Sequence, residues 1–189
     1  MSGLPGKTPT PENTPESTLE KLRVLHADVD SLVTDLIDRL DFDLVCRRGC
    51  SDCCIDDLSI FPVEASLIKA NAAELLINSK PYPKGRCAFL DKTGSCRIYP
   101  WRPYVCRTQG LPLRWLEEGP GGEVVELRDI CPLNNESIKN SSNPLESLAE
   151  GQCWTLGRFE GLLAGLQVSI TGFCEKPPRA SLRSLFNKQ

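Results

Sequence analysis

The chain has 189 residues, 40% of them hydrophobic and 25% charged, enough to bury a core within a small single domain. Lys+Arg 22 against Asp+Glu 25 gives a net charge of −3 and a pI near 5.3, which argues against a general nucleic-acid binder. No apolar run approaches the roughly 20 residues that span a bilayer, and the first residues lack the apolar stretch of a secretory signal, so a cytoplasmic protein without a membrane partner is expected.

Residues 1–16 contain four prolines and read as a disordered lead-in. Helix signals begin at Ser17-Thr18-Leu19-Glu20, an S-x-x-E pattern in which cap and glutamate satisfy each other's backbone donors. Leu22, Leu25, Val29, Leu32, Val33, Leu36 and Leu40 then form a helical stripe. His26, the only histidine, reads as a helix-surface residue. A polar, cysteine-dense loop follows at 46–54, and Pro62 suits the first turn of a helix running to about Asn78. Residues 79–110 hold four prolines and three cysteines without periodicity, so something other than hydrogen-bond ladders must hold them. Metal–thiolate bonds are the candidate, and the metal is then expected to contribute folding energy.

Leu113-Arg114-Trp115-Leu116 and Val124-Val125-Glu126-Leu127 flank Gly119-Pro120-Gly121-Gly122, a hairpin that would bring Cys131 near Cys106. Residues 132–150 read as a polar loop, and 154–168 as a helix with Trp154, Leu156, Phe159, Leu162, Leu163 and Leu166 as its apolar residues. The end, 175–189, carries Lys176, Arg179, Arg183 and Lys188 and reads as a flexible basic tail, leaving 17–174 as the folded domain. The expected fold is mainly α, with irregular metal-bound loops and one β-hairpin.

Ten cysteines are too many for packing alone, and in a reducing compartment they point to metal or redox chemistry rather than disulfides. Cys46, Cys50, Cys53 and Cys54 form C-x3-C-x2-C-C, four thiols that converge only if the backbone wraps around a point, with Gly49 supplying the permissive dihedral. Thiolates so close repel one another, which a cation relieves. Soft sulfur ligands select zinc, iron–sulfur clusters or Cu(I). Cys87, Cys96, Cys106 and Cys131 make a second group. Arg47, Arg48, Arg86, Arg97, Arg102 and Arg107 lie within a few residues of these cysteines and can compensate thiolate charge. Tyr99, Trp101 and Pro103 read as shielding, and Asp56-Asp57 and Glu117-Glu118 as solvated loop residues or helix caps.

The ordered motifs C-x3-C-x2-C-C, Cys87-Ala88-Phe89-Leu90, Cys96-Arg97-Ile98-Tyr99-Pro100-Trp101-Arg102-Pro103-Tyr104-Val105-Cys106-Arg107 and Cys131-Pro132 resemble the YkgJ-like cysteine-cluster family, the zinc- or iron-chelating domain. The resemblance covers roughly residues 42–133, with Ala88 inserted before the family's Phe/Pro-Leu. It implies metal binding through about eight cysteines: Cys46, Cys50, Cys53, Cys54, Cys87, Cys96, Cys106 and Cys131. Arg102 and Arg107 fall inside the motif as outer-sphere residues. Eight thiolates satisfy two four-coordinate sites, either two zinc ions or two cubane clusters. Iron–sulfur is the preferred cofactor. Being adjacent, Cys53 and Cys54 are expected to serve different metals or bridge a pair. Cys153 and Cys174 lie outside the motif and read as bystanders.

Three rival readings were weighed. The radical-SAM loop shares the C-x3-C-x2-C spacing but usually has an aromatic where this chain has Asp52, and no barrel-like alternation follows Cys54. A cysteine nucleophile would need a histidine base, and His26 is poorly placed for it. Flagellin lysine N-methylases resemble the family in their cysteine motif but are longer chains, so an iron–sulfur enzyme and a zinc-structured protein-binding module stand as alternatives to a metal-binding protein of unassigned reaction.

Overall fold

Pro15 opens the first helix. Its carbonyl accepts the amides of Thr18 and Leu19 (2.9 and 3.2 Å), so α1 (Glu16–Ile37) begins one residue before the expected Ser17. Ser17 thus lies inside the helix rather than at its cap, and Glu20 pairs with Arg23 at 3.0 Å instead of reaching back. The computed structural model describes residues 15–136, 138 and 144–186, so the expected disordered lead-in falls almost wholly outside the described residues. Leu22, Leu25, Val29 and Leu36 of the stripe are buried, with Leu19 ahead of them, whereas Val33 is half-buried, Leu32 is exposed and Leu40 falls beyond the helix. His26 corrects the surface reading: it sits on the buried side of α1 and is only 4% exposed.

Strand β1 (Ser59–Ile60) precedes α2 (Pro62–Asn71), which starts at the expected proline. The single helix expected to reach Asn78 is split, because Ala72 leaves helical geometry (φ −123°, ψ 25°) before α3 (Ala73–Asn78). A 3-10 turn at Tyr99–Trp101 and the short α4 (Tyr104–Arg107) are the regular pieces of the proline-rich middle. The hairpin forms as read: β2 (Leu113–Glu118) pairs antiparallel with β3 (Val124–Asp129), Leu113 opposite Asp129. The polar loop contains α5 (Pro132–Asn135) and α6 (Pro144–Ser147).

The expected helix at 154–168 starts late. Trp154–Thr155 is β4, parallel to β2, and α7 (Arg158–Thr171) follows. Gly157 is the punctuation that the apolar pattern concealed, its N–H donating to Glu160 Oε2 at 2.7 Å. The chain end is not a free tail. β5 (Ala180–Ser181) pairs with β1, and Leu182, Leu185 and Phe186 are buried. Apolar spacing at the end of the chain outweighs the basic residues around it.

Two apolar clusters share α2. Val63 and Leu67 join α1, Tyr104, Trp154 and the α7 residues Phe159 and Leu163 in the first. Ala65 and Ile68 join Ile60, Phe89, Ile98, Leu182 and Phe186 in the second, where the Phe89 and Phe186 rings lie 4.9 Å apart. The mainly helical architecture with small sheets agrees with the expected class. Among the described residues, no helix is long and apolar enough to cross a membrane.

Phe186→Ala should lower stability by about 3 kcal/mol, the usual range for an aromatic removed from a core. A urea unfolding curve reads this; an unchanged midpoint would mean the end of the chain contributes nothing to the core.

Candidate metal centre

The first cysteine segment is coiled by successive turns. Cys50 N donates to Arg47 O (2.9 Å) and Cys54 N to Ser51 O (3.0 Å), and between them Gly49 takes φ +89°, as its expected role requires. Cys87 N then donates to Cys54 O at 2.9 Å, stitching the second group onto the first. Asp91 shapes the next turn, Oδ1 accepting the amides of Thr93 (2.8 Å) and Ser95 (2.9 Å), and Leu90 and Cys96 form an antiparallel bridge. Cys106 rides on α4. That helix is fixed by Glu64, whose Oε1 accepts Tyr104 N at 2.8 Å while Oε2 accepts Phe61 N at 3.2 Å. Glu64 is 3% exposed and was not singled out from the sequence, although its position three residues after Phe61 is that of a reciprocal cap.

Seven of the eight candidate thiols line one cavity of about 620 Å³: Cys46, Cys50, Cys53, Cys54, Cys87, Cys96 and Cys106. The eighth, Cys131, stands beside Cys46, not in the cavity lining; the hairpin returns it to the first group of cysteines. Cys153 is buried and Cys174 exposed, and both are outside this lining. Leu58, Phe89, Ile98 and Leu182 of the second cluster, together with Leu90, give the cavity an apolar wall.

Burial pushes Cys46, Cys87, Cys96 and Cys106 up, because it disfavours the charged thiolate. The hydrogen bond between Cys53 and Cys54 holds Cys53 down at about 6 and pushes Cys54 up. Mutual repulsion links the thiols in two groups that share Cys53. Cys46 feels Cys50, Cys131 and Cys53, while Cys106 feels Cys87, Cys96 and Cys53, and Cys54 feels Cys87 and Cys106 besides its neighbour. Among the described residues, no three Cys, His, Asp or Glu side chains stand close enough as they are to hold an ion. The donor set nonetheless suits a soft metal, because only a cation removes the cost of ionising so many sulfurs together.

The arginines divide. Arg47, Arg48 and Arg102 line the cavity, and Arg102 stacks over the Tyr99 ring at 4.1 Å. Arg86 donates to Ser51 O at 2.7 Å and favours the Cys53 thiolate. Arg107 turns elsewhere: its guanidinium pairs with Asp30 and donates to Pro100 O at 3.0 Å. Arg183, from the supposed tail, binds Asp56 (2.7 Å), Tyr82 O (2.7 Å) and Arg86 O (2.8 Å), and its charge opposes the rise at Cys87. Asp56 is therefore an anchor rather than a solvated loop acid, since it also accepts Gly85 N at 2.9 Å.

Asn134 was missed as well. It is fully buried, its Oδ1 accepts Val45 N at 2.8 Å, and its Nδ2 donates to Gly110 O at 2.6 Å and to Cys46 Sγ at 3.4 Å. Its own N–H donates to Cys131 O at 2.8 Å. One amide thus ties together the segments that carry Cys46, Cys106 and Cys131. The only signal in the sequence was its position in the first turn after Cys131-Pro132.

Residues 45–132 match the family model described as "Putative zinc- or iron-chelating domain", CxxCxxCC. Over this segment the chain is similar to that family. The matched domain holds all eight candidate cysteines and leaves out α1, α7 and the strand pair β1–β5's second strand, along with Cys153 and Cys174. No curated protein and no solved structure matches the chain.

Gly110 has φ +93°, and a Cβ there would lie 2.6 Å from Cys46 Sγ and 3.4 Å from Asn134 Nδ2. Gly110→Ala should therefore destabilise the protein by at least about 1 kcal/mol, from strain at a positive φ plus displacement of the thiol. Asn134→Ala should cost about 1–3 kcal/mol by stranding Val45 N–H and Gly110 C=O. Chemical denaturation reads both.

Proposed function

We propose that this chain is a metal-binding protein whose cavity cysteines hold iron–sulfur clusters, with Cys46, Cys50, Cys53 and Cys131 as one set and Cys54, Cys87, Cys96 and Cys106 as the other. The observation that carries the reading is the gathering of seven thiols on one cavity of about 620 Å³. The cavity offers soft thiolate donors and no histidine, a set that suits iron–sulfur clusters as well as zinc. The family description, zinc- or iron-chelating, agrees with either metal.

Such a centre would supply one-electron redox chemistry. Around it the chain provides an apolar wall that lowers solvent access, and Arg102 and Arg48 at the cavity offset thiolate charge. Asn134 Nδ2–H on Cys46 Sγ is a donor of the kind that tunes a ligand sulfur. No histidine lines the cavity. The reading assigns metal binding and no reaction.

Metal and acid-labile sulfide analysis of anaerobically purified protein, beside its visible spectrum, tests it. Iron with matching sulfide is expected, Cys50→Ser and Cys106→Ser should lose most of it, and Cys153→Ser should keep it. Zinc without sulfide would keep the thiolate site and overturn the cluster. Wild-type protein with no bound metal, or equal loss in all three variants, would overturn the assignment of these sulfurs.

A further inference from the structure

The hairpin reaches beyond the strand that anchors it. β4 pairs with β2 only at Leu113 and Arg114, so from Trp115 to Leu127 the two strands of the hairpin pair with each other alone. β3 is the end strand of the three, and among the described residues no strand lies along its outer edge. Arg128 ties the far end of β3 to Leu145 O and Leu148 O (2.8 and 2.6 Å).

A two-stranded ribbon is marginal in water by itself, and this one keeps apolar side chains outside. Leu116 is 64% exposed and Val124 69%. The register sets Leu116 opposite Glu126 and Val124 opposite Glu118, which makes the two apolar residues diagonal neighbours on one face. On the other face Val125 stands opposite Glu117 and is exposed as well.

Between residues 115 and 127 the chain carries four glutamates and no lysine or arginine. Glu126 is taken by Arg114 (2.8 Å) and Arg128 (2.6 Å) at the root of the hairpin. Glu117, Glu118 and Glu123 are exposed, and among the described residues their side chains have no ion pair or hydrogen bond. The sign of this charge selects the occupant. A second copy would bring like charges against the same tip, and nucleic acid or an anionic membrane is repelled by it. A basic protein segment is attracted, and an extended one can use the free edge, where main-chain bonds give affinity and alternate side chains give specificity.

We propose that the hairpin is a docking arm for a protein partner with a basic, extended contact segment. The segment adds to β3 as a further strand, covers Leu116 and Val124, and sets its cations against Glu118 and Glu123. The proposal does not rest on the identity of the metal, since the arm holds no cysteine.

Protein as purified, labelled with nitrogen-15, is titrated with a synthetic peptide of alternating lysine and valine, and separately with one of alternating glutamate and valine. The lysine–valine peptide is expected to shift the amides of 115–127 saturably, with an affinity that falls as salt is raised, and the glutamate–valine peptide to leave them in place. Glu118→Gln combined with Glu123→Gln should weaken binding several-fold, as should Leu116→Ser, while Glu175→Gln, exposed beyond α7, should leave it unaltered. The altered side chains are exposed, so the hairpin's own amide pattern should persist in each variant. No saturable shift, equal shifts with both peptides, or unaltered binding in the double glutamine variant would overturn the proposal. So would self-association of that variant without peptide binding, because the glutamates would then serve only to keep the edge from pairing with copies of the chain.

Discussion

Keeping eight thiols together is an electrostatic problem before it is a packing problem. Each sulfur that ionises raises the cost of ionising the next, and burial adds to that cost, which is why Cys46, Cys87, Cys96 and Cys106 are all pushed up. The chain answers with cations placed at different depths. Arg86 works from the exposed side on Cys53, Arg97 and Arg102 act on Cys96, and Arg183 acts on Cys87. A soft metal with charge of its own is the remaining counterweight, and the positions of the arginines make sense as partial neutralisation of thiolates bound to one.

The second problem is mechanical. Residues 79–110 lack a ladder, and the structure holds them by single side chains at a few points. Glu64 grips α4 from α2, Asn134 joins three cysteine-bearing segments, and the Asp56–Arg183 pair clamps the loop around Tyr82 and Arg86. A neutral hydrogen bond such as those of Asn134 contributes about 0.5–1.5 kcal/mol and one to the buried Glu64 carboxylate about 1.5–3 kcal/mol, against a total stability for a domain of about 5–15 kcal/mol. A few such ties therefore matter to what fixes the site.

The elements with a strong period were legible in the sequence: α1, the hairpin β2–β3 and the existence of α2 and α7 follow from apolar spacing and turn residues. So was the cysteine cavity, since C-x3-C-x2-C-C and the later cysteines require convergence. What escaped was everything that depends on one residue meeting a distant one. Asn134 sits in a polar loop and looks like any loop asparagine until Val45 and Gly110 are brought beside it. Glu64 looks like a helix surface acid, although it is buried. Arg183 looked like part of a solvated basic end because its partner Asp56 lies 127 residues away. His26 misled in the opposite sense: its polarity suggested the surface, while its position between Leu25 and Ala27 on α1 turns it inward. Arg107 was read as facing the sulfurs because it follows Cys106, yet a helix sends consecutive side chains about 100° apart, and its guanidinium goes to Asp30.

These ties share the work that the sequence suggests for a metal. With no ladder in the middle of the chain, metal–thiolate bonds are the candidate for holding it and are expected to contribute folding energy. Glu64, Asn134 and Arg183 make their bonds without using a cysteine sulfur, apart from the single long contact to Cys46. The α1–α2–α7 core contains no candidate cysteine, and the Phe89–Phe186 cluster is built from apolar side chains against which Cys87 and Cys96 pack. The wall of the cavity thus rests on apolar packing and on side-chain hydrogen bonds, so the order of the middle of the chain does not depend on its sulfurs alone.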